Sequence, residues 1–371
     1  MRNFLKTILV LATVFYFVSC SGSKEFGRNG IKESKPFIFA TWANGKPKRS
    51  DAQWDSVFNK YRDAGITDFF IRADPQELTR MIKLTKDKGI RIHAWMWTFN
   101  RPWDTVAEKH PDWYSVNRNG QNSLEYNPYV KYYQWLSPFS KGARDYIKSN
   151  FEALAKVKGL ASVHLDYVRY CDVFLGAALQ PKYNLVQDHQ MPEYDFGYHP
   201  EARKEFEKLF GVDPMKMAHP ELSYEWLQFR LNAVTSLVNQ LAVIAHKYHT
   251  KISAAVFPYP ELARQMVRQD WSSWNLDIAL PMIYQNFYKE NMNWIGFSTA
   301  QGVREVHGRF PIYSGLLVHA FTPEKLKEAI LIAKKNGASG VSFFNMNALS
   351  NGDLEVIKQL YDEFDAGVAS K

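Results

Sequence analysis

The chain has 371 residues, 46% of them hydrophobic and 23% charged, enough for one large α/β barrel or two ordinary domains around a substantial core. Its formal charge is +8, or +6 once Arg2 and Lys6 of the N-terminal segment are set aside. That charge comes without a dense Lys/Arg block and without a zinc or RNA motif, which argues against nucleic acid as a partner.

In chain order, "MRNFLK" supplies positive charge, "TILVLATVFYFV" is apolar but short for a membrane span, and Ser19–Cys20 follows. That pattern reads as a secretory signal over residues 1–20. Cys20 after a small residue resembles a bacterial lipobox, although Phe17 stands where Leu is usual. The expectation is a cell-envelope protein held to a membrane through lipidated Cys20. Residues 21–35, "SGSKEFGRNGIKESK", read as a polar tether. With Cys20 lipidated, Cys171 has no partner for an intrachain disulfide, so stability comes from the core.

From residue 36 to 366, short apolar runs alternate with longer amphipathic stretches. Strands are expected in "PFIFATWAN", "TDFFIRA", "IRIHAWMWTF", "ASVHLDYVRY", "KISAAVFPYP", "LDIALPMIY", "RFPIYSGLLVH" and "SGVSFFNM". Helices are expected in "SDAQWDSVFNKYRDAG", "PQELTRMIKLTKDKG", "GARDYIKSNFEALAKVKG", "YEWLQFRLNAVTSLVNQLAVIAHKYH" and "PEKLKEAILIAKKNGA", with a vaguer one in "NMNWIGFSTAQGVREVH". Long excursions over 101–140 and 171–222 follow the third and fourth strands. Eight such units in one chain, with no composition break, predict a single-domain (β/α)8 TIM-type barrel.

Active sites of this fold sit at the C-terminal ends of the strands, so polar and aromatic residues late in each strand are the candidates. They are Trp42, Arg72, His93, Trp95, Trp97, Asp166, Arg169, Tyr284, His319 and Asn345, with Tyr259 and Glu261 just past the fifth strand. Alternation puts His93, Trp95 and Trp97 on one face, and His164 with Asp166 on one face.

Asp166 stands out as a charge inside the apolar run "SVHLDYVRY", costly to bury unpaired. Glycoside hydrolysis needs two carboxyl groups, one ionised and one able to give a proton. Asp166 is the first, as nucleophile or general base, with Arg72 and Arg169 as charge partners. Glu261 is the catalytic candidate for the second, although it also reads as a helix-opening glutamate. Asp74, Asp172 and Asp270 lie near strand ends as well.

Trp42, Arg72, His93, Trp95, Arg169, Tyr284 and Asn345 are expected to bind substrate. "HAWMWTFNRPW" and "WSSWN" are dense enough in aromatic rings to offer sugar platforms. H-E-x-x-H, the P-loop and G-x-S-x-G are all missing, so neither a metal nor a cofactor is expected.

The ordered series "HPDWYSVNRNGQ", "WLSPFSKGARDYI", "VHLDYVRY", "FGYHPEARKEFEKLFGVDP", "WLQFRLNAVTSLV", "AVFP", "QDWSSW" and "LPMIY" resembles the glycosyl hydrolase-like family 10 lipoproteins across most of residues 37–350. The resemblance implies a (β/α)8 barrel, secretion, frequent lipid anchoring and glycosidase activity on a polysaccharide. It matches Asp166, Arg72, His93, Trp95 and Tyr284 to family positions. The chain departs in placing Cys171 and Asp172 where a Pro is common. The reading is therefore an extracytoplasmic glycoside hydrolase working by carboxylate acid/base chemistry. Its rivals are a non-catalytic glycan-binding barrel and a metal-dependent hydrolase such as a deacetylase.

Overall fold

The computed structural model describes residues 36–45 and 49–369. The signal, Cys20 and the tether lie outside the described residues. Eight parallel strands form the barrel: β1 (Ile38–Asn44), β2 (Ile66–Arg72), β3 (Arg91–Trp97), β4 (Ser162–Asp166), β5 (Lys251–Val256), β6 (Ile278–Pro281), β7 (Tyr313–Leu317) and β8 (Gly340–Phe344). They run in the order β6-β5-β4-β3-β2-β1-β8-β7. Parallel bridges Ala279–Ile312 and Met282–Gly315 join β6 to β7 and close the ring.

Among the described residues nine helices surround it: α1 (Asp51–Asp63), α2 (Pro75–Thr85), α3 (Lys141–Ala155), α4 (Pro200–Phe210), α5 (Tyr224–Lys247), α6 (Pro260–Val267), α7 (Asn293–Glu305), α8 (Pro323–Lys335) and α9 (Asn351–Ala369). This is the expected (β/α)8 barrel. The long excursion after β4 contributes one helix, α4, that its sequence pattern had not separated.

Local chemistry explains the boundaries. Ser50 accepts from the Gln53 N–H while the Gln53 side chain accepts from the Ser50 N–H at 2.8 Å, a capping box that starts α1. Asp74 caps α2 ahead of Pro75, and Ser140, Ser223 and Thr322 cap α3, α5 and α8. Past the end of α1, Gly65 has φ +92°, and a Cβ there would lie 2.5 Å from the Tyr361 ring of α9. Only glycine allows both that turn and that approach.

Two cores result. Outward-facing strand residues such as Phe39, Phe69, Ile92 and Val163 pack under the helices. Inside the barrel, Ala40, Trp42, Phe70, Trp95, Ala255, Ile278, Leu280 and Tyr313 form a second apolar cluster.

The fourth strand is shorter than its apolar run, ending at Asp166 rather than continuing to Tyr170. Tyr167 follows at φ +49°, in the left-handed region that bulky residues avoid. The Asp166 carboxylate takes the Tyr167 N–H at 2.7 Å, replacing the ladder bond a longer strand would have made.

The excursions after β3 and β4 pack on one another above this end of the barrel. An antiparallel bridge links Asn117 to Phe196. The Tyr129 hydroxyl donates to the Asp172 carbonyl at 2.8 Å and accepts from Gln187 Nε2 at 2.9 Å. Together they wall a cleft over the strand ends.

Candidate active site

The cleft has a volume of about 390 Å³. Its floor is formed by strand ends: Trp95 and Trp97 from β3, Asp166 from β4, and Phe344 from β8. Trp97 and Asp166 are register partners, so their side chains emerge together at the mouth. Tyr129, Tyr132 and Tyr133 form a wall from the first excursion, and Tyr167, Arg169, Asp172 and Tyr183 from the second. Met282, Tyr284, Phe287 and Tyr288, after β6, close the far side.

Asp166 is 9% exposed. Trp95 Nε1–H donates to its Oδ2 at 2.9 Å and the Tyr167 N–H to its Oδ1 at 2.7 Å. Burial pushes its carboxyl up, and those two donors with Arg169 and Arg72 pull it down without prevailing. The sequence-based expectation that Arg72 keeps Asp166 ionised thus meets a stronger desolvation effect. The Arg72 guanidinium lies 4.2 Å from the Trp97 ring centre, where burial lowers its own pKa against the pull of Asp166 and Tyr167.

Asp172 and Asp166 are the carboxylates that line the cleft among the described residues. Arg169 Nη1 donates to Asp172 Oδ2 at 3.1 Å and to the Tyr170 carbonyl at 2.8 Å. Its guanidinium also packs against Trp135, Phe257 and Tyr167 at 4.9, 4.9 and 5.4 Å. Burial would discharge Arg169, but Asp172 and neighbouring tyrosines hold it firmly charged. One fixed cation therefore serves both carboxyls, paired with Asp172 and acting through space on Asp166.

Two buried donors in this cleft are unspent. The Tyr284 hydroxyl and Trp97 Nε1–H have no hydrogen-bond partner among the described residues. Burial and then Asp166 push the Tyr284 phenol well up, so it keeps its proton. Buried donors are rarely left unmatched, and donors facing a cleft are matched by ligand oxygens.

The other sequence candidates lie elsewhere. Glu261 is exposed in the first turn of α6, outside the cleft lining, because Pro260 starts the helix there. It acts as the helix-opening glutamate. Asp74 caps α2, and Asp270 pairs with Arg264 at 2.6 Å. Asn345 accepts from the Asn347 N–H and caps a short 3₁₀ turn. His319 is exposed in another such turn.

Trp42 and His93 face the barrel axis but below the cleft, because His93 is only the third residue of β3. Both belong to one buried chain of hydrogen bonds that runs from Trp42 to Asp68. Trp42 Nε1–H donates to His164 Nε2 at 3.1 Å, so His164 must donate through Nδ1 to Ser253 Oγ at 3.0 Å. Burial and His93 push His164 well down, which keeps it neutral. Ser253 meets Ser162 at 2.8 Å, Ser162 meets His93 Nδ1 at 2.7 Å, and His93 Nε2 meets Asp68 at 2.9 Å.

The residues missed in the sequence are those of the tyrosine wall, and Asp172 was noted near a strand end without being singled out. Tyr126, Tyr129, Tyr132, Tyr133 and Trp135 crowd into "YNPYVKYYQW", a signal available in a segment expected only to be a loop. Among the described residues no group of three or more His, Cys, Asp or Glu is placed to hold a metal ion.

Comparison of the fold gives glycoside hydrolases. The chain aligns with the glycoside hydrolase domain of PgaB (BpsB) from Bordetella bronchiseptica at TM-score 0.64 and 14% identity, covering 88% of this chain and 99% of that one. The β-amylase catalytic domain from Paenibacillus polymyxa gives TM-score 0.58 and 11% identity, over 88% and 98% of the two chains. The endo-1,4-β-mannanase from Rhizomucor miehei gives 0.54 and 9%, over 91% and 96%. At these identities the likeness is one of fold. No curated protein matches the sequence significantly. A family model matches residues 46–306, and by that match the chain belongs to the family described as "Putative glycosyl hydrolase domain".

Proposed function

We propose that this protein hydrolyses glycosidic bonds of an extracytoplasmic oligosaccharide or polysaccharide, with Asp166 and Asp172 as its two carboxyl groups. The observation that carries the reading is the contrast between them within one aromatic cleft. The Asp166 carboxyl is pushed up by burial, whereas Asp172 sits in an ion pair with Arg169 at 3.1 Å. Two carboxyls in one cleft, one buried among apolar groups and one beside a fixed cation, suit the acid and its partner in glycoside hydrolysis. Asp166 protonates the leaving oxygen. Asp172 assists at the anomeric carbon, directly or through water, and Arg169 holds it in place. Trp95, Trp97 and the tyrosine wall stack on sugar faces, and Tyr284 donates to a ring or hydroxyl oxygen.

The finer family assignment, to the glycosyl hydrolase-like family 10 lipoproteins, and lipid anchoring through Cys20 belong to the same proposal. They are supported by the ordered motifs and the N-terminal signal pattern. A Cys20→Ser form that leaves the detergent phase for the aqueous phase supports the anchor.

The test is a polysaccharide panel incubated with wild type, Asp166→Asn and Asp172→Asn. Cleavage by wild type, lost in both variants, supports the proposal. Equal cleavage in all three overturns it. One observation favours the rival binding-only reading: Arg169 occupies one oxygen of Asp172. Binding of a glycan that none of the three cleaves would establish that rival.

A further inference from the structure

Trp103 closes the segment "HAWMWTFNRPW" and is 72% exposed. The chain has eleven tryptophans, all among the described residues, and the other ten are buried or half-buried. No aromatic ring or guanidinium covers Trp103 among the described residues. Its backbone φ is +57°, a left-handed conformation that disfavours any residue with a Cβ. The sequence thus sets its largest apolar side chain in water on an unfavourable backbone, and packing repays neither cost.

Its backbone is nevertheless held in place. The Trp103 N–H donates to Gln134 Oε1 at 3.3 Å, the Arg101 N–H to the Gln134 carbonyl at 2.8 Å, and the Gln134 N–H to Asn100 Oδ1 at 3.0 Å. Gln134 directly follows Tyr132 and Tyr133, which line the cleft. The Trp103 backbone is therefore clipped to the residue that follows the tyrosine wall, which leaves its exposed indole next to the chain segment that lines the cleft.

We infer that Trp103 is the platform of an outlying sugar subsite, and that the substrate is a chain of several sugars running from the cleft across the rim, not a disaccharide held inside it. The inference rests on the glycosidase reading of the cleft. A flat indole offers the C–H face of a pyranose apolar contact that needs no enclosure, and it loses little conformational entropy in doing so.

The experiment is a binding titration of the full mature chain carrying Asp166→Asn, to limit turnover. The probes are manno-, malto- and chito-oligosaccharides of two to eight units, followed by calorimetry and by acrylamide quenching of tryptophan emission. Affinity is expected to rise about tenfold or more between short and long members of at least one series. Long members should protect the quenchable emission. Adding Trp103→Ala should erase that gain, while Trp103→Phe should keep part of it. Because the ring is exposed, an unchanged melting temperature shows that the variants fold.

A length preference that survives Trp103→Ala overturns the inference, as does the absence of binding or of length dependence in every series. A blue shift of Trp103 emission on phosphatidylglycerol vesicles but with no oligosaccharide also overturns it, assigning the ring to a membrane. The two proposals fail separately. Cleavage by wild type with a length preference indifferent to Trp103 sinks only the subsite, and length-dependent binding through Trp103 without cleavage sinks only the hydrolysis.

Discussion

The Trp95 indole donates its N–H to Asp166 Oδ2 at 2.9 Å, from the adjacent strand and within the same cleft floor. The bond exists because β3 and β4 pair in parallel register, with Trp95 beside His164 and Trp97 beside Asp166. It fixes the carboxyl's rotation and is one of the influences that restrain its upward pKa shift. Desolvation still wins, which suits a group that must hold a proton until the leaving oxygen takes it.

Replacing Trp95 with Phe removes the donor and keeps most of the ring. The Asp166 carboxyl then rises further. A general acid loses activity as pH rises through its pKa, so the alkaline limb of the kcat/KM profile should move to higher pH. Stability follows the same sign. A raised carboxyl favours the folded state below its unfolded pKa of about 4, and that contribution is lost as pH rises through the folded value. An alkaline limb that stays in place or moves down would detach Asp166 from the proton-donor role.

Asp166→Asn and Asp172→Asn should each lower kcat by about 10²- to 10⁴-fold, the usual contribution of a positioned acid or base. On the proposed mechanism the two losses should not multiply, because it has both groups act in one step beside one guanidinium. Glu261→Gln, in the exposed first turn of α6, should leave kcat within about twofold, since exposed substitutions away from the cleft have small effects. A large loss in Glu261→Gln would return the second-carboxyl role to that residue.

The barrel was legible because strand and helix periods differ and several helices open on a capping residue, as Ser50 with Gln53 and Asp74 with Pro75 show. Asp166 was legible for a related reason, as a charge among apolar strand residues. His93 was misplaced because periodicity gives the face but not the depth, and three residues into β3 is still below the mouth. The tyrosine wall was not legible, and Asp172 could be noted but not ranked above Asp74 or Asp270, because these residues lie on loops. Their positions depend on contacts such as Asn117 with Phe196, which no local pattern encodes.

Asp68 should behave as a structural carboxylate. It is 1% exposed and bound by His93 at 2.9 Å and Arg91 at 2.6 Å. Burial would raise it, but His93 and Arg91 outweigh burial and hold it down. Asp68→Asn should cost about 3–5 kcal/mol at neutral pH, as breaking a buried pair does. A lowered carboxyl stabilises above its unfolded pKa of about 4 and loses that contribution as pH falls through the folded value. The wild-type advantage in chemical denaturation should therefore shrink below about pH 4. An advantage independent of pH would mean that shape, not charge, is what Asp68 supplies.

Tyr284→Phe separates a ligand contact from a structural one most cleanly. The hydroxyl is buried with no partner among the described residues, so it carries a desolvation cost and no compensating bond. Deleting it leaves the ring against Phe344, 5.9 Å away between centres, and should leave stability unchanged or raise it by up to about 1 kcal/mol. If the hydroxyl is matched only when a sugar oxygen arrives, the same deletion should lower kcat/KM by about 10- to 100-fold, the worth of a lost buried hydrogen bond. A structural hydroxyl predicts the reverse pattern, with stability lost and kinetics kept. Thermal melts and steady-state rates on one preparation decide between them, because each reading forbids the outcome that the other requires.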